Sequence, residues 1–274
     1  MATFERFARR SVSIAAGAAA VLFLLAGIAF AQPEFPRTPG VWLSGDEHKP
    51  TDAHIEELTR SLRRITGFNE LHFADDGSLA LGDTQSAQSR GSAAARRILS
   101  RALGPGLVFI IEDHSGSHSV NFGQLNEGLR YEDAVTGLRL MVWRVRLDFD
   151  DFRAMQASPE VRDSFDAGFT ALHELLHGLG YKDAAGAGEL GECEEALNMA
   201  RGELGLPLRE QYFGDELRLS RSFLSIRLRF RNDKALISTG AARGRPQYLF
   251  FMIPSEYFQF AQSGAGVFGC GRGR

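Results

Sequence analysis

The stretch that most constrains this chain is Phe165–Asp183, which reads FDAGFTALHELLHGLGYKD. Within it, His173-Glu174-Leu175-Leu176-His177 follows the pattern H-E-x-x-H. Residues four apart on an α-helix share a face, so the imidazoles of His173 and His177 can both reach one metal ion. Glu174 is offset around the helix, where a carboxylate can meet a water at that metal and serve as general base. Phe165, Phe169, Leu172, Leu176 and Leu179 recur at helical spacing. They predict one buried face, with the histidines on another. Gly178 and Gly180 weaken the helix just after the second histidine. The chemistry that fits is metal-assisted hydrolysis, and Zn2+ is the metal the pattern favours.

A catalytic zinc usually has three protein ligands and one open position, so a third ligand is needed. Two candidates stand out, Asp183 and Glu194. The run His173-x3-His177-x2-Gly180-x2-Asp183 resembles the extended motif of the metzincin clan of zinc metallopeptidases, in its version with aspartate as third ligand. That resemblance implies that the glycine lets the chain turn and that Asp183 meets the metal. It also implies a methionine turn beneath the site, for which Met199 and Met252 are the candidates. The run Glu192-Cys193-Glu194-Glu195-Ala196-Leu197-Asn198 resembles instead the gluzincin arrangement. There a later helix supplies a glutamate, here Glu194, and the residue four further on, here Asn198, supports a histidine. Asp183 is preferred because it extends a contiguous motif. Glu192 and Glu195 are expected on a solvated helix face.

A third resemblance lies downstream. Asn198–Tyr212 is similar to the N-x-x-R-x-E-L-G-L-P-x-R-x-x-Y stretch that follows the HExxH helix in bacterial effector and toxin metallopeptidases. Leu197 stands where that pattern has an acid. The resemblance brings Arg209 and Tyr212 into view. A phenol near zinc can donate to a developing oxyanion, and an arginine can orient a carboxylate. Bracing the helix against the sheet is the equally simple alternative for both.

Residues 1–31 read as a secretory signal: Arg6, Arg9 and Arg10 precede an apolar run from Ile14 to Phe30, and Ala29-Phe30-Ala31 suits cleavage. The alternative is a retained anchor over residues 11–31, the only route by which this reading involves a membrane. Removing the segment takes away three arginines and one glutamate, moving the formal charge from −3 to −5, a balance that does not suggest nucleic-acid binding. The two cysteines, Cys193 and Cys270, fit no cysteine-based zinc site and could pair outside the cytoplasm.

The remainder predicts an α+β domain. Residues 32–50 form a Pro- and Gly-containing lead-in. A helix runs from Thr51 or Asp52 to about Ile65, then a hairpin around Asp75-Asp76-Gly77, a helix over Ala93–Leu103, and a buried strand over Leu107–Glu112. Gly137–Asp150 alternates as a half-buried strand directly before the metal helix, a natural place for a sheet whose edge could bind an extended peptide. Leu217–Arg231 and Gln247–Ile253 read as strands, the first bearing Arg218, Arg221, Arg227, Arg229 and Arg231. His48, His54, His114 and His118 are expected to be solvated loop or helix-end residues. The domain expected is zincin-like, over residues 51–263, with an upstream mixed or antiparallel sheet, the HExxH helix and a smaller C-terminal subdomain. A flexible tail, 264–274, follows. Hydrolysis of a protein or peptide substrate is the function that fits best. The alternatives are a zinc amidase or esterase acting on a cell-envelope or small-molecule substrate, and a non-enzymatic exported binding domain using the basic hairpin.

Overall fold

The computed structural model describes residues 35–83, 90–117, 119–126, 128–133, 135–186, 188–218, 223–231 and 246–254. The chain divides into two units, Met1–Pro36 and Arg37–Arg274, and every element below belongs to the second. The signal-like segment 1–31, His118, Arg221, Cys270 and the tail 264–274 lie outside the described residues. Among the described residues, no helix is long and apolar enough to cross a membrane.

In chain order the first half comprises β1 (Gly40–Leu43), α1 (Asp52–Thr66), β2 (His72–Phe73), β3 (Leu79–Ala80), α2 (Ala93–Ala102), β4 (Leu107–Asp113), β5 (Gly123–Leu125), β6 (Leu129–Glu132) and β7 (Arg139–Leu147). Then come α3 (Phe149–Ala154), β8 (Gln156–Ala157), α4 (Pro159–Ser164), α5 (Ala167–Gly178), α6 (Gly191–Leu204), β9 (Leu208–Arg209), β10 (Asp215–Arg218), β11 (Phe223–Arg231) and β12 (Pro246–Pro254). This mixture of helices and several sheets is compatible with the α+β class.

The first sheet is mixed. β1, β4 and β7 run parallel in that order, while β5 and β6 both pair antiparallel with β7 along its far edge. The second sheet is antiparallel, in the order β10–β11–β12–β8 with β9 also on β11. β2 and β3 form the separate hairpin. Helix starts follow the side chains that satisfy their free amides. Thr51 caps α1, Ser92 caps α2, Ser158 caps α4 and Asp166 caps α5, each accepting a backbone N–H with its side-chain oxygen.

Four expectations are corrected here. The lead-in contains β1, whose Val41 is buried, so the packed domain begins before residue 51. Gly137–Asp150 ends as a strand at Leu147, because Asp148 caps α3 by accepting from the amides of Asp150 and Asp151. The strand therefore does not lead directly into the helix of His173 and His177, and within its sheet it is internal, with β4 on one side and β5 and β6 on the other. Leu217–Arg231 is two strands, β10 and β11, paired antiparallel.

The fourth correction concerns α5. Every residue from Ala167 to Leu176 is buried, so this is a central helix rather than a surface helix with one apolar stripe. Small residues let it sit there. A Cβ on Gly168 would lie 2.2 Å from Ser61 Oγ of α1, and one on Gly178 would lie 2.3 Å from the Phe109 ring of β4. Gly178→Ala is expected to cost about 1–3 kcal/mol, the usual range for overpacking, read as a lower chemical-denaturation midpoint. An unchanged midpoint would mean that the Phe109 ring yields freely and that this contact does not set the helix position.

Candidate metal centre

Helix α5 presents His173 and His177 on adjacent turns, with their Nε2 atoms 3.1 Å apart. The chain then reverses. The Gly180 N–H donates to the His177 carbonyl, and the Tyr181 N–H to the Leu176 carbonyl. Gly180 takes φ +92°, a conformation that glycine adopts without steric penalty. An isolated bridge between Asp183 and Gly191 fixes the returning segment against the start of α6. Lys182 N–H also donates to Glu192 Oε2 at 2.9 Å.

This turn brings Asp183 back over the histidines. Its Oδ1 is 3.1 Å from His173 Nε2 and its Oδ2 is 3.2 Å from His177 Nε2. Two ring nitrogens and a carboxylate thus stand at the corners of a triangle, the nitrogens 3.1 Å apart and each 3.1–3.2 Å from a different oxygen of the carboxylate. Zinc–ligand bonds of about 2.0–2.1 Å in tetrahedral geometry put ligand atoms about 3.3 Å apart. The observed approaches are of that order, as a group able to hold a metal ion requires. Asp183 Oδ1 is buried and makes no hydrogen bond, which suits an oxygen facing a cation.

The other nitrogen of each imidazole is occupied. His173 Nδ1 lies 3.2 Å from Glu194 Oε1, and His177 Nδ1 lies 3.1 Å from the Tyr181 carbonyl oxygen. Donation from both Nδ1 positions leaves the two Nε2 lone pairs for a metal. Glu194 is therefore behind a ligand rather than within the triangle. Burial opposes charge on His173, yet the carboxylates of Asp183 and Glu194 overcome it and raise its pKa to about 10, and a metal at Nε2 would take the place of the proton they favour there. The same surroundings hold Asp183 ionised: burial pushes its carboxyl up, and the two histidines pull it well below the usual carboxylate range. The site is built to stabilise a positive charge.

Glu194 in turn sits on α6 between two guanidiniums. Arg201 Nη1 donates to its Oε2 and Arg209 Nη1 to its Oε1, each at 2.7 Å. All three side chains are at most 2% exposed. Asn198 does not support a histidine; it accepts from Arg201 and from the Arg209 amide, and donates to the Arg209 carbonyl. Tyr212, 1% exposed, donates its hydroxyl to Asp183 Oδ2 at 2.8 Å and lies parallel to the His173 ring. That geometry gives the phenol a role in holding Asp183. Burial and the Asp183 charge raise its pKa well above normal, so it remains a donor.

Glu174 lies beside the triangle, 6% exposed, facing β5. Burial raises its pKa, the histidines lower it, and the Leu125 amide lowers it further by a hydrogen bond. A cavity of about 20 Å³ opens next to it, bounded by Gly123, Thr170, His173, Arg209 and Tyr212 among others. That is room for about one water molecule.

Cys193 belongs to the same neighbourhood. His173, His177, Asp183 and Cys193 offer donor atoms within 4.8 Å of one another, a group that could hold a metal ion. The Cys193 Sγ, however, is 3.5 Å from Nδ1 of His177, the nitrogen facing away from the triangle. Burial and the surrounding carboxylates push its pKa up, so the thiol keeps its proton. Met199 and Met252 are both exposed, so neither forms a methionine turn under the histidines. Glu192 and Glu195 are exposed on α6.

His54 and His114 are more tightly held than their sequence positions suggested. His54 is buried, with Nδ1 2.5 Å from Asp113 Oδ2 and its ring stacked on Phe149. His114 lies 3.2 Å from the buried Glu112 and stacks on His48. The partner of His54 comes from a strand 59 residues away, which local sequence does not show, whereas that of His114 lies two residues upstream. On β11, Arg227 pairs with Asp215, and Arg229 and Arg231 with Glu210, so the described part of that strand is not an unneutralised basic face. No family model, curated protein or solved structure matches this chain.

Proposed function

We propose that this protein is a zinc-dependent hydrolase of peptide bonds with a zincin-like domain. The observation that carries the reading is the triangle of His173 Nε2, His177 Nε2 and the Asp183 carboxylate, with Glu174 alongside. His173, His177 and Asp183 would hold the ion. When bound, zinc supplies Lewis acidity toward a carbonyl and lowers the pKa of a water. Glu174 takes the proton from that water and later passes it to the leaving amine. Tyr212 and Glu194 keep the ligands oriented, each through one hydrogen bond.

The choice of a peptide substrate is supported by β5. It lies against Glu174 on the far edge of the mixed sheet, and among the described residues no strand pairs with its outer side. An extended peptide could lie along that edge and offer its own N–H groups to strand carbonyls, since the Gly123 and Leu125 amides already donate to Asn121 and Glu174, and this would lay a scissile bond beside the base.

Two histidines and one carboxylate also suit ferrous iron, so metal identity is the first test. Elemental analysis of the purified protein is expected to give near-stoichiometric zinc. Asp183→Ala, dialysed identically, is expected to lose most of it. Iron in place of zinc would overturn the hydrolytic reading. Zinc fully retained without Asp183 would assign the third ligand elsewhere.

A further inference from the structure

Among the described residues, Phe122 is the only one other than glycine with positive φ, at +60°. A bulky aromatic residue is an outlier in that region. The Gly123 N–H donates to the Asn121 carbonyl at 2.7 Å, closing a three-residue γ-turn whose positive-φ form is rare and strained. The surroundings over-determine it. Phe122 N–H donates to Asp151 Oδ2 at 2.9 Å, and the Phe122 carbonyl accepts from the Asp148 N–H at 3.0 Å. The ring packs edge-on against Phe165 and Phe251, with centroids 4.9 and 4.8 Å away.

The turn aims the chain at the candidate base. A Cβ on Gly123 would lie 2.5 Å from Thr170 Cγ2 and 3.2 Å from Glu174 Oε1, so the backbone itself abuts α5. Two residues on, the Leu125 amide hydrogen-bonds the Glu174 carboxylate. We propose that Asp151 is a positioning residue for Glu174: its carboxylate locks the Phe122 turn, which presses Gly123–Leu125 against α5 and delivers the Leu125 amide to the base. The inference rests on the hydrolytic reading of Glu174.

The chemistry of Asp151 agrees with that geometry. Burial pushes its carboxyl up to about 6, and the charges that face it, Asp148 and Asp150, push the same way against the Phe122 amide. An acid whose folded pKa exceeds its unfolded value of 3.8 loses stability as pH rises between about 4 and 6. At neutral pH the Asp151 charge therefore opposes folding. What it supplies is a strong acceptor for one strained amide.

Amide hydrogen exchange and steady-state kinetics on the zinc-loaded full chain test the idea. Asp151→Ala is expected to speed exchange at Leu125 about tenfold or more, with Ile111 of β4 unchanged, and to lower kcat roughly 10- to 100-fold with little change in KM. Asp151→Asn keeps an oxygen acceptor and is expected to restore Leu125 protection. If the alanine variant does not fold, Asp151→Glu, which displaces the acceptor by a methylene, reads the same amide. Leu125 exchange at the wild-type rate in a folded Ala or Glu variant overturns the proposal. Wild-type protein that hydrolyses no peptide would sink the functional reading alone, since the exchange comparison still decides the positioning.

Discussion

Replacing Glu174 by glutamine is expected to lower peptide hydrolysis by about 10²–10⁴-fold, the range for losing a general base, while zinc content stays at the wild-type level. The separation follows from the geometry. The proposed ligand atoms are His173 Nε2, His177 Nε2 and the Asp183 oxygens, and Glu174 is not among them. Glutamine has the same shape and keeps an oxygen for the Leu125 amide. What it lacks is a lone pair basic enough to take a proton from water. Burial already raises the Glu174 pKa, which strengthens it as a base as long as it stays ionised. Turnover and metal content measured on one preparation decide the matter. Hydrolysis retained in the variant, with contaminating protease excluded, would remove Glu174 from the mechanism. Zinc lost with activity would instead make its carboxylate part of the metal site.

The metal helix was legible because its signals are local. Four-residue spacing puts two imidazoles on one face, and glycine after the second histidine ends the helix. Asp183 was legible for a related reason: the whole reversal from His177 to Asp183 is encoded in six consecutive residues. The ELGLPLR block also resolves into local physics. Glu203 accepts from the Ser92 hydroxyl and the Ala94 amide at the start of α2, and Gly205 ends α6 in the left-handed region. The function of Glu194 was not legible, since a buried carboxylate looks alike in sequence whether it meets a metal or a histidine. Only the register of α6 against α5 separates the two. The Asp151–Phe122 contact was hidden more deeply. It joins residues 29 positions apart through a backbone amide, and neither side chain has a pattern that marks it. His54 was misjudged for the same reason, because its carboxylate partner, Asp113, arrives from the end of a distant strand.

Replacing Glu194 by alanine is expected to destabilise the fold by about 3–5 kcal/mol, the usual penalty for removing one partner of a buried ion pair. One carboxylate here faces Arg201, Arg209 and His173 at once. Burial pushes its pKa up, but the arginines overcome that and hold it well below 4.5. An acid with a depressed folded pKa contributes stability that is complete above its unfolded value and is lost as pH falls through the folded one. The difference between wild type and variant should therefore be full at neutral pH and shrink only in acid. Without the carboxylate, two guanidiniums remain buried without the ion-pair partner they share. Glu194→Gln is the milder companion. It preserves shape and one acceptor, and is expected to weaken zinc affinity roughly 10- to 100-fold, as loss of a partner behind a ligand usually does. Urea denaturation read at several pH values and zinc competition titration measure the two effects separately. A glutamine variant that binds zinc as tightly as wild type would detach Glu194 from the metal centre. Its role would then be confined to holding α6 against Arg209 and the sheet that follows it.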